Sequence, residues 1–206
     1  MKVLLLNGSP NEKRCTYTAL EQVARGLADG GVESEIVWLG KEPVKPCIGC
    51  GACQKTQRCA FGEKDGINAL IEQAQAADGL VLGSPVFYAG INGSLKSTLD
   101  RLFFAASSSF AFKPGACVVS ARRAGTTAAL EQLHKYICIA QMPLVNSFYW
   151  PMVHGQAADQ VLQDEEGCQT VYQLGANMAW LLKSIEAGKQ AGITPTQPDA
   201  RARTNF

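Results

Sequence analysis

The chain has 206 residues, 47% of them hydrophobic, and 19 basic against 18 acidic groups leave a net charge of +1. That length supports one sizeable core rather than two comfortable domains, and the charge balance gives no field to draw nucleic acid or an anionic membrane. The opening MKVLLLNGSP is apolar too briefly for a signal peptide, and no later run reaches the ~18 apolar residues of a membrane span, so a soluble, cytoplasmic protein is expected.

Strand and helix patterns alternate along the chain. Residues 2–7 (KVLLLN) form a short aliphatic run closed by Gly-Ser-Pro, as expected of a parallel strand buried on both faces. Residues 16–30 carry Ala19, Leu20, Val23 and Leu27 at helical spacing and end on Gly30-Gly31. A second strand follows at 34–39, a helix at 70–77, a third strand at 79–84, a helix at 95–105 and a fourth strand at 116–121. A helix at 127–140, a fifth strand at 144–149 and a long helix at 170–188 complete the order. The tail from Gly192 contains Pro195 and Pro198 and is expected to be extended or disordered. The expected organisation is one unit over 1–190, with a long loop at 40–66 and a tail at 191–206.

Parallel strands need crossover helices, so this order specifies an α/β fold, a doubly wound five-stranded parallel sheet with helices on both faces. Ligands of such sheets bind outside the carboxyl ends of the strands at a topological switch point. The loops at 8–15, 85–93 and 122–126 therefore hold the candidate site. The loop at 40–66 is far longer than usual.

The first loop, GSPNEKRCTYT, has neither a Walker motif nor a G-x-G-x-x-G. Ser9, Asn11, Thr16 and Thr18 offer hydroxyl and amide groups beside a helix N-terminus, which suits a phosphate. Ser-Pro-Asn as a plain turn with Thr16 as N-cap fits equally well.

Gly8-Ser9-Pro10-Asn11 with Cys15-Thr16, together with SPVFYAGINGSLKSTLDRL at 84–102, resembles the flavodoxin-like flavoprotein family, which includes NAD(P)H-dependent FMN reductases and iron–sulfur flavoproteins. The likeness runs from Met1 to about Trp150. It implies a flavodoxin-like fold and FMN bound noncovalently, its phosphate met by Ser9, Asn11, Cys15 (through its backbone), Thr16 and Thr18. It also places two loops around the isoalloxazine. In the first, Pro85 and Gly90 shape the backbone while Val86, Phe87, Tyr88 and Ala89 supply surface. In the second lie Ser120, Arg122, Arg123 and Gly125. The arginines would meet reduced flavin or the phosphates of a nicotinamide donor, or form a solvated turn. His134 and His154 are assigned no catalytic role; the hydride chemistry belongs to the cofactor.

The loop CIGCGACQKTQRC holds Cys47, Cys50, Cys53 and Cys59 as C-x2-C-x2-C-x5-C, half of the eight cysteines. In a reducing compartment a disulfide framework is disfavoured. Zinc sites usually present two separated pairs, whereas three closely spaced cysteines resemble the ferredoxin run around a cubane. The fourth cysteine, followed by Ala60 rather than Pro, departs from ferredoxins and resembles iron–sulfur flavoproteins, which implies a [4Fe–4S] cluster. Clusterless thiols, a disulfide formed on handling, and zinc remain open. Cys117 and Cys138 are expected in the core.

The expected function is an FMN-dependent oxidoreductase, fed by NAD(P)H or a reduced protein carrier and passing electrons to a quinone, free flavin, metal ion or other small acceptor. A non-enzymatic FMN/[4Fe–4S] electron-transfer or redox-sensing module is the alternative. The segment at 148–152, aromatic and apolar, further suggests a homo-oligomer, dimer or tetramer.

Overall fold

A computed structural model describes residues 1–196 together with 202 and 204. The elements are β1 (Lys2–Asn7), α1 (Cys15–Asp29), β2 (Glu33–Trp38), α2 (Cys53–Thr56), α3 (Ile67–Ala76), β3 (Gly79–Phe87) and β4 (Gly90–Ile91). They continue with α4 (Gly93–Phe110), β5 (Gly115–Ala121), α5 (Thr126–Ile139), β6 (Met152–His154), α6 (Ala158–Gln163) and α7 (Glu165–Gln190). The sheet runs β2-β1-β3-β5-β6, with β4 paired antiparallel to β3 alone. The five strands of the main path pair in parallel. That is the flavodoxin order, and β1 and β3 flank its switch point.

The continuous apolar runs are explained by two cores, one on each face of the sheet. Leu4 and Leu6 of β1, Leu80 and Leu82 of β3, and Cys117 and Val119 of β5 pack under α3, α4 and α5. Their neighbours Val3, Leu5, Val81, Ala116 and Val118 point the other way, under α1 and α7. Successive residues face opposite sides of a strand, so a strand covered on both faces must be apolar throughout. Helices α1 and α7 cross at glycine: a Cβ on Gly26 would lie 2.1 Å from Tyr172 O, and one on Gly175 would lie 2.1 Å from Val23 O.

The fifth strand differs from the expected 144–149. Leu144 makes one bridge to Gly115, and pairing then resumes at Met152, opposite Val119. Eight steps of the edge chain thus span four steps of β5. Val145 N–H donates to Gly115 O at 2.8 Å and Val119 N–H to Pro151 O at 3.1 Å, so the ladder is satisfied on both sides of the excursion. An edge strand tolerates such a bulge because its outer side pairs with nothing. The excursion displays Phe148, Tyr149 and Trp150, each at least half exposed.

Cys138 also departs from expectation, being exposed while Cys117 is buried. The inward face of α5 is Ala129, Leu130, Leu133 and Ile137, and one step past Ile137 turns the side chain about 100° toward solvent. Helix α7 starts five residues before the expected 170, capped by Asp164, whose Oδ1 accepts from Gly167 N–H at 3.0 Å. At its end Gly192 takes a φ of 78° and Ile193 N–H donates to Gly188 O. Half of the expected tail, including Pro198, lies outside the described residues. No helix among the described residues is long and apolar enough to cross a membrane.

Candidate functional site

The carboxyl edge of the sheet gathers the loops after β1, β3 and β5. Asn7, buried at the end of β1, organises the first. Its Oδ1 accepts from Ser9 N–H at 3.1 Å and its Nδ2 donates to Glu12 O at 2.8 Å. Ser9 Oγ accepts from Asn11 N–H at 3.1 Å, and Trp38 at the end of β2 donates its indole N–H to Ser9 O at 2.9 Å. Helix α1 begins at Cys15, and Arg14, its N-cap, makes no side-chain capping bond. Thr16 therefore stands inside the first turn and is not the N-cap. The first helical bond runs from Thr18 N–H to Arg14 O, so the N–H groups of Cys15, Thr16 and Tyr17 precede it and open toward the loop.

The hydroxyls of this turn point inward. Thr16 Oγ1 lies 2.8 Å from Ser120 Oγ, both residues buried, and ties α1 to the end of β5. Thr18 Oγ1 donates to Arg14 O at 3.3 Å. Cys15 Sγ donates to Gly155 O at 3.4 Å, and burial pushes its pKa up. The loop thus presents backbone N–H groups and the exposed Asn11, while its hydroxyls hold the scaffold.

The second loop is the β3–β4 hairpin. Tyr88 and Ala89 at its tip have φ of 50° and 58°, as the right-handed strand twist requires of a two-residue hairpin. Ser84 Oγ accepts from Asn92 N–H at 3.1 Å, and Asn92 Oδ1 accepts from Ser94 N–H at 2.7 Å, so one pair joins the hairpin base to the start of α4. Gln132 of α5 receives Ile91 N–H at 3.1 Å. Phe87 and Tyr88 are exposed, while Pro85 and Val86 are half-buried. Gly125, with a φ of 93°, presses on the hairpin tip: a Cβ there would lie 2.7 Å from Ala89 Cα. The third loop thereby touches the second, and Arg122 and Arg123 stand exposed beside them.

The cysteine loop forms its own chamber between the end of β2 and the flank of α4. A cavity of about 630 Å³ is lined by Cys47, Cys50, Cys53 and Cys59, with Ile48, Phe61 and Phe104 among its apolar wall. All eight cysteines are unbridged. Gly49 and Gly51 take φ of 67° and 72°, which lets the backbone wrap between successive thiols. Burial raises the Cys53 thiol pKa, and Cys47, Cys50 and Cys59 add to the rise, so the sulfurs share one electrostatic neighbourhood. Among the described residues, no three His, Cys, Asp or Glu side chains converge closely enough to hold an ion as they stand. The donor set and the space suit a four-thiolate cluster; the four sulfurs line the space and would draw together around it.

Several positioning residues were not foreseen. Trp38 and Asn7 brace the first loop, and Asn68 holds both sides of Cys59, accepting from its N–H at 2.9 Å and donating to its C=O at 3.1 Å. Arg101 and Asp65 close the chamber. Only Arg101 carried a visible cue, the charged pair ending LKSTLDRL.

Residues 1–157 match the family described as NADPH-dependent FMN reductase. The chain belongs to the NADPH-dependent FMN reductase family. It is an FMN-dependent oxidoreductase, with FMN as cofactor and NADPH as the family's donor. Its matched segment takes in all three loops at the carboxyl edge and the cysteine chamber. The chain is similar to an iron–sulfur flavoprotein of Archaeoglobus fulgidus, 33% identical over 175 residues, covering 83% of this chain and 85% of the relative. It is also similar to an iron–sulfur flavoprotein of Methanocaldococcus jannaschii, 28% identical over 197 residues, covering 90% of this chain and all of the relative. Among solved structures, a flavodoxin from an archaeon aligns at a TM-score of 0.58 and 16% identity over 89% of this chain and 99% of that one, which supports the fold.

Proposed function

We propose that this FMN reductase family member is an iron–sulfur flavoprotein that passes electrons between NADPH, FMN, a [4Fe–4S] cluster and a small acceptor such as a quinone, a free flavin or a metal ion. The observation that carries the cluster is the chamber itself: four unbridged cysteines line one cavity of about 630 Å³. The names borne by the two relatives point the same way.

FMN, when bound, accepts a hydride and releases electrons singly, which lets one protein join two-electron and one-electron partners. The residues of the chain bind and orient it. The N–H groups of Cys15, Thr16 and Tyr17 and the side chain of Asn11 would hold the phosphate at the positive end of α1. Ser9 and Thr18 shape that turn, while Thr16 with Ser120 locks it to β5. Pro85, Val86, Phe87, Tyr88, Ala89 and Gly90 would edge the ring on one side, with Gly125 setting their spacing to the other loop. Arg122 and Arg123, exposed and with no carboxylate partner among the described residues, would offset negative charge on the ring or on the donor's phosphates. Cys47, Cys50, Cys53 and Cys59 would hold the cluster as thiolates.

The exposed Phe148, Tyr149 and Trp150 support a homo-oligomer, since such a contiguous aromatic patch suits an interface. A cytoplasmic location fits eight unpaired cysteines. The test of the enzymatic reading is steady-state oxidation of NADPH by the FMN-loaded protein with a quinone or free flavin. Turnover is expected. Silence with every small acceptor, broken only by a partner protein, would favour the electron-relay alternative.

A further inference from the structure

Of the charged groups of the LKSTLDRL segment, Lys96 and Asp100 pair with each other and the third is buried. Arg101, on α4, has a side chain only 3% exposed. Its Nε and Nη2 both donate to Cys59 Sγ, at 3.3 and 3.2 Å. Its Nη1 donates to Lys45 O at 3.3 Å, and Asp65 grips the same guanidinium through both carboxylate oxygens. The guanidinium is a permanent cation held in this buried setting. Every edge of the fork is therefore committed, and one whole edge is spent on a sulfur.

Keeping a cation buried is unfavourable unless its partners are ionic or strongly hydrogen-bonded. A neutral thiol is a weak acceptor. A thiolate is a strong one, since charge-assisted bonds are roughly twice as strong as neutral ones. Two donors converging on one sulfur thus suit Cys59 in its metal-ligating form. The other three thiols lack this service: Cys47 Sγ accepts a single backbone N–H from Gly49 at 3.5 Å, Cys53 Sγ donates to Phe104 O at 3.6 Å, and Cys50 is exposed. The cradle is built asymmetrically.

We propose that Arg101, clamped by Asp65, is a positioning residue that aims the Cys59 thiolate into the chamber and, through its two hydrogen bonds, raises the reduction potential of the cluster held there. The inference rests on the cluster reading above. Hydrogen bonds to a cluster's sulfur ligands favour its more negative, reduced state and are a main lever on its potential. The same helix begins at the Ser84–Asn92 pair of the flavin hairpin, and Gly93 to Arg101 spans about 12 Å of helix rise. One rigid element therefore carries the hairpin at its start and the sulfur clamp two turns later.

The test compares anaerobically reconstituted full-length wild type, Arg101→Lys and Arg101→Met. Iron, sulfide and FMN are assayed in each sample, and the cluster midpoint is read by redox titration followed by electron paramagnetic resonance. The expected result is a midpoint displaced to more negative potential in Arg101→Met with FMN content unchanged, and a smaller displacement in Arg101→Lys, which keeps the charge but not the fork. Loss of iron alone from Arg101→Met, with Arg101→Lys loaded and displaced negative, also supports the clamp. Coincident midpoints in wild type and iron-loaded variants overturn it, as does joint loss of iron and FMN, which marks a scaffold role. Wild type that takes up no iron overturns the underlying cluster reading, and its own assay separates that failure from the failure of the clamp.

Discussion

Gly125 is the residue on which the second and third loops of the candidate site meet. Any side chain there takes the left-handed φ of 93° and drives its Cβ to 2.7 Å from Ala89 Cα. The left-handed strain is about 1–2 kcal/mol, with overpacking of about 1–3 kcal/mol added. Gly125→Ala is expected to push the hairpin away and to weaken FMN binding at least tenfold, since each 1.4 kcal/mol is about tenfold. Fluorescence titration of apoprotein with FMN reads this directly; an unchanged dissociation constant would show that the loop contact does not shape the ring site. Thr16 acts differently. Its hydroxyl is paired with Ser120 at 2.8 Å out of solvent, so Thr16→Ala leaves Ser120 without its partner and is expected to lower apoprotein stability by about 1–3 kcal/mol. Urea unfolding measures it, and a loss that vanishes in the Ser120→Ala background would confirm that the pair is the cause. The place of Thr16 beside the first loop was legible from its position after GSPNEKRC. Its inward orientation was not, because a helix start gives the register of a side chain only once the first turn is placed.

At the scale of elements, the aliphatic runs of β1, β3 and β5 identified the central strands because both faces of each must be apolar. The edge could not be read in the same way. Residues 144–149 have strand-like composition, yet pairing passes from Leu144 to Met152, because an edge chain answers to one neighbour and can bulge freely. The short β4 and α2 were also hidden, being set by tertiary contacts rather than periodicity. The α1–α7 crossing has a sequence cue that is clear only in retrospect: Gly26 and Gly175 lie where each helix meets the other's backbone at 2.1 Å from a notional Cβ. Gly175→Ala is expected to destabilise by about 1–3 kcal/mol or more despite alanine's better helix propensity, because backbone atoms cannot yield as side chains do. A thermal melt that rises instead would mean the helices separate at no cost.

For the whole molecule, one sheet edge carries the three loops proposed for the flavin, and a loop after its outermost strand carries the four-cysteine chamber. Helix α4 joins them. The aromatic excursion at Phe148, Tyr149 and Trp150 is the surface expected to pair with another copy, so Trp150→Asp should shift sedimentation toward the monomer; a wild type already monomeric at micromolar concentration removes the basis for that interface. The cysteine spacing pointed to the chamber before its walls were known, whereas Arg101 and Asp65 come from separate elements that only folding brings together. FMN and a four-thiolate cluster are proposed to share this chain. Iron, acid-labile sulfide and FMN, assayed together on anaerobically purified and reconstituted protein, test it most directly. About four iron and four sulfide per FMN are predicted for wild type, with iron lost and FMN retained when Cys47, Cys50, Cys53 or Cys59 is replaced by Ala. Stoichiometric FMN with no iron or sulfide after reconstitution would contradict the account and leave a reductase with an ordinary thiol-lined loop.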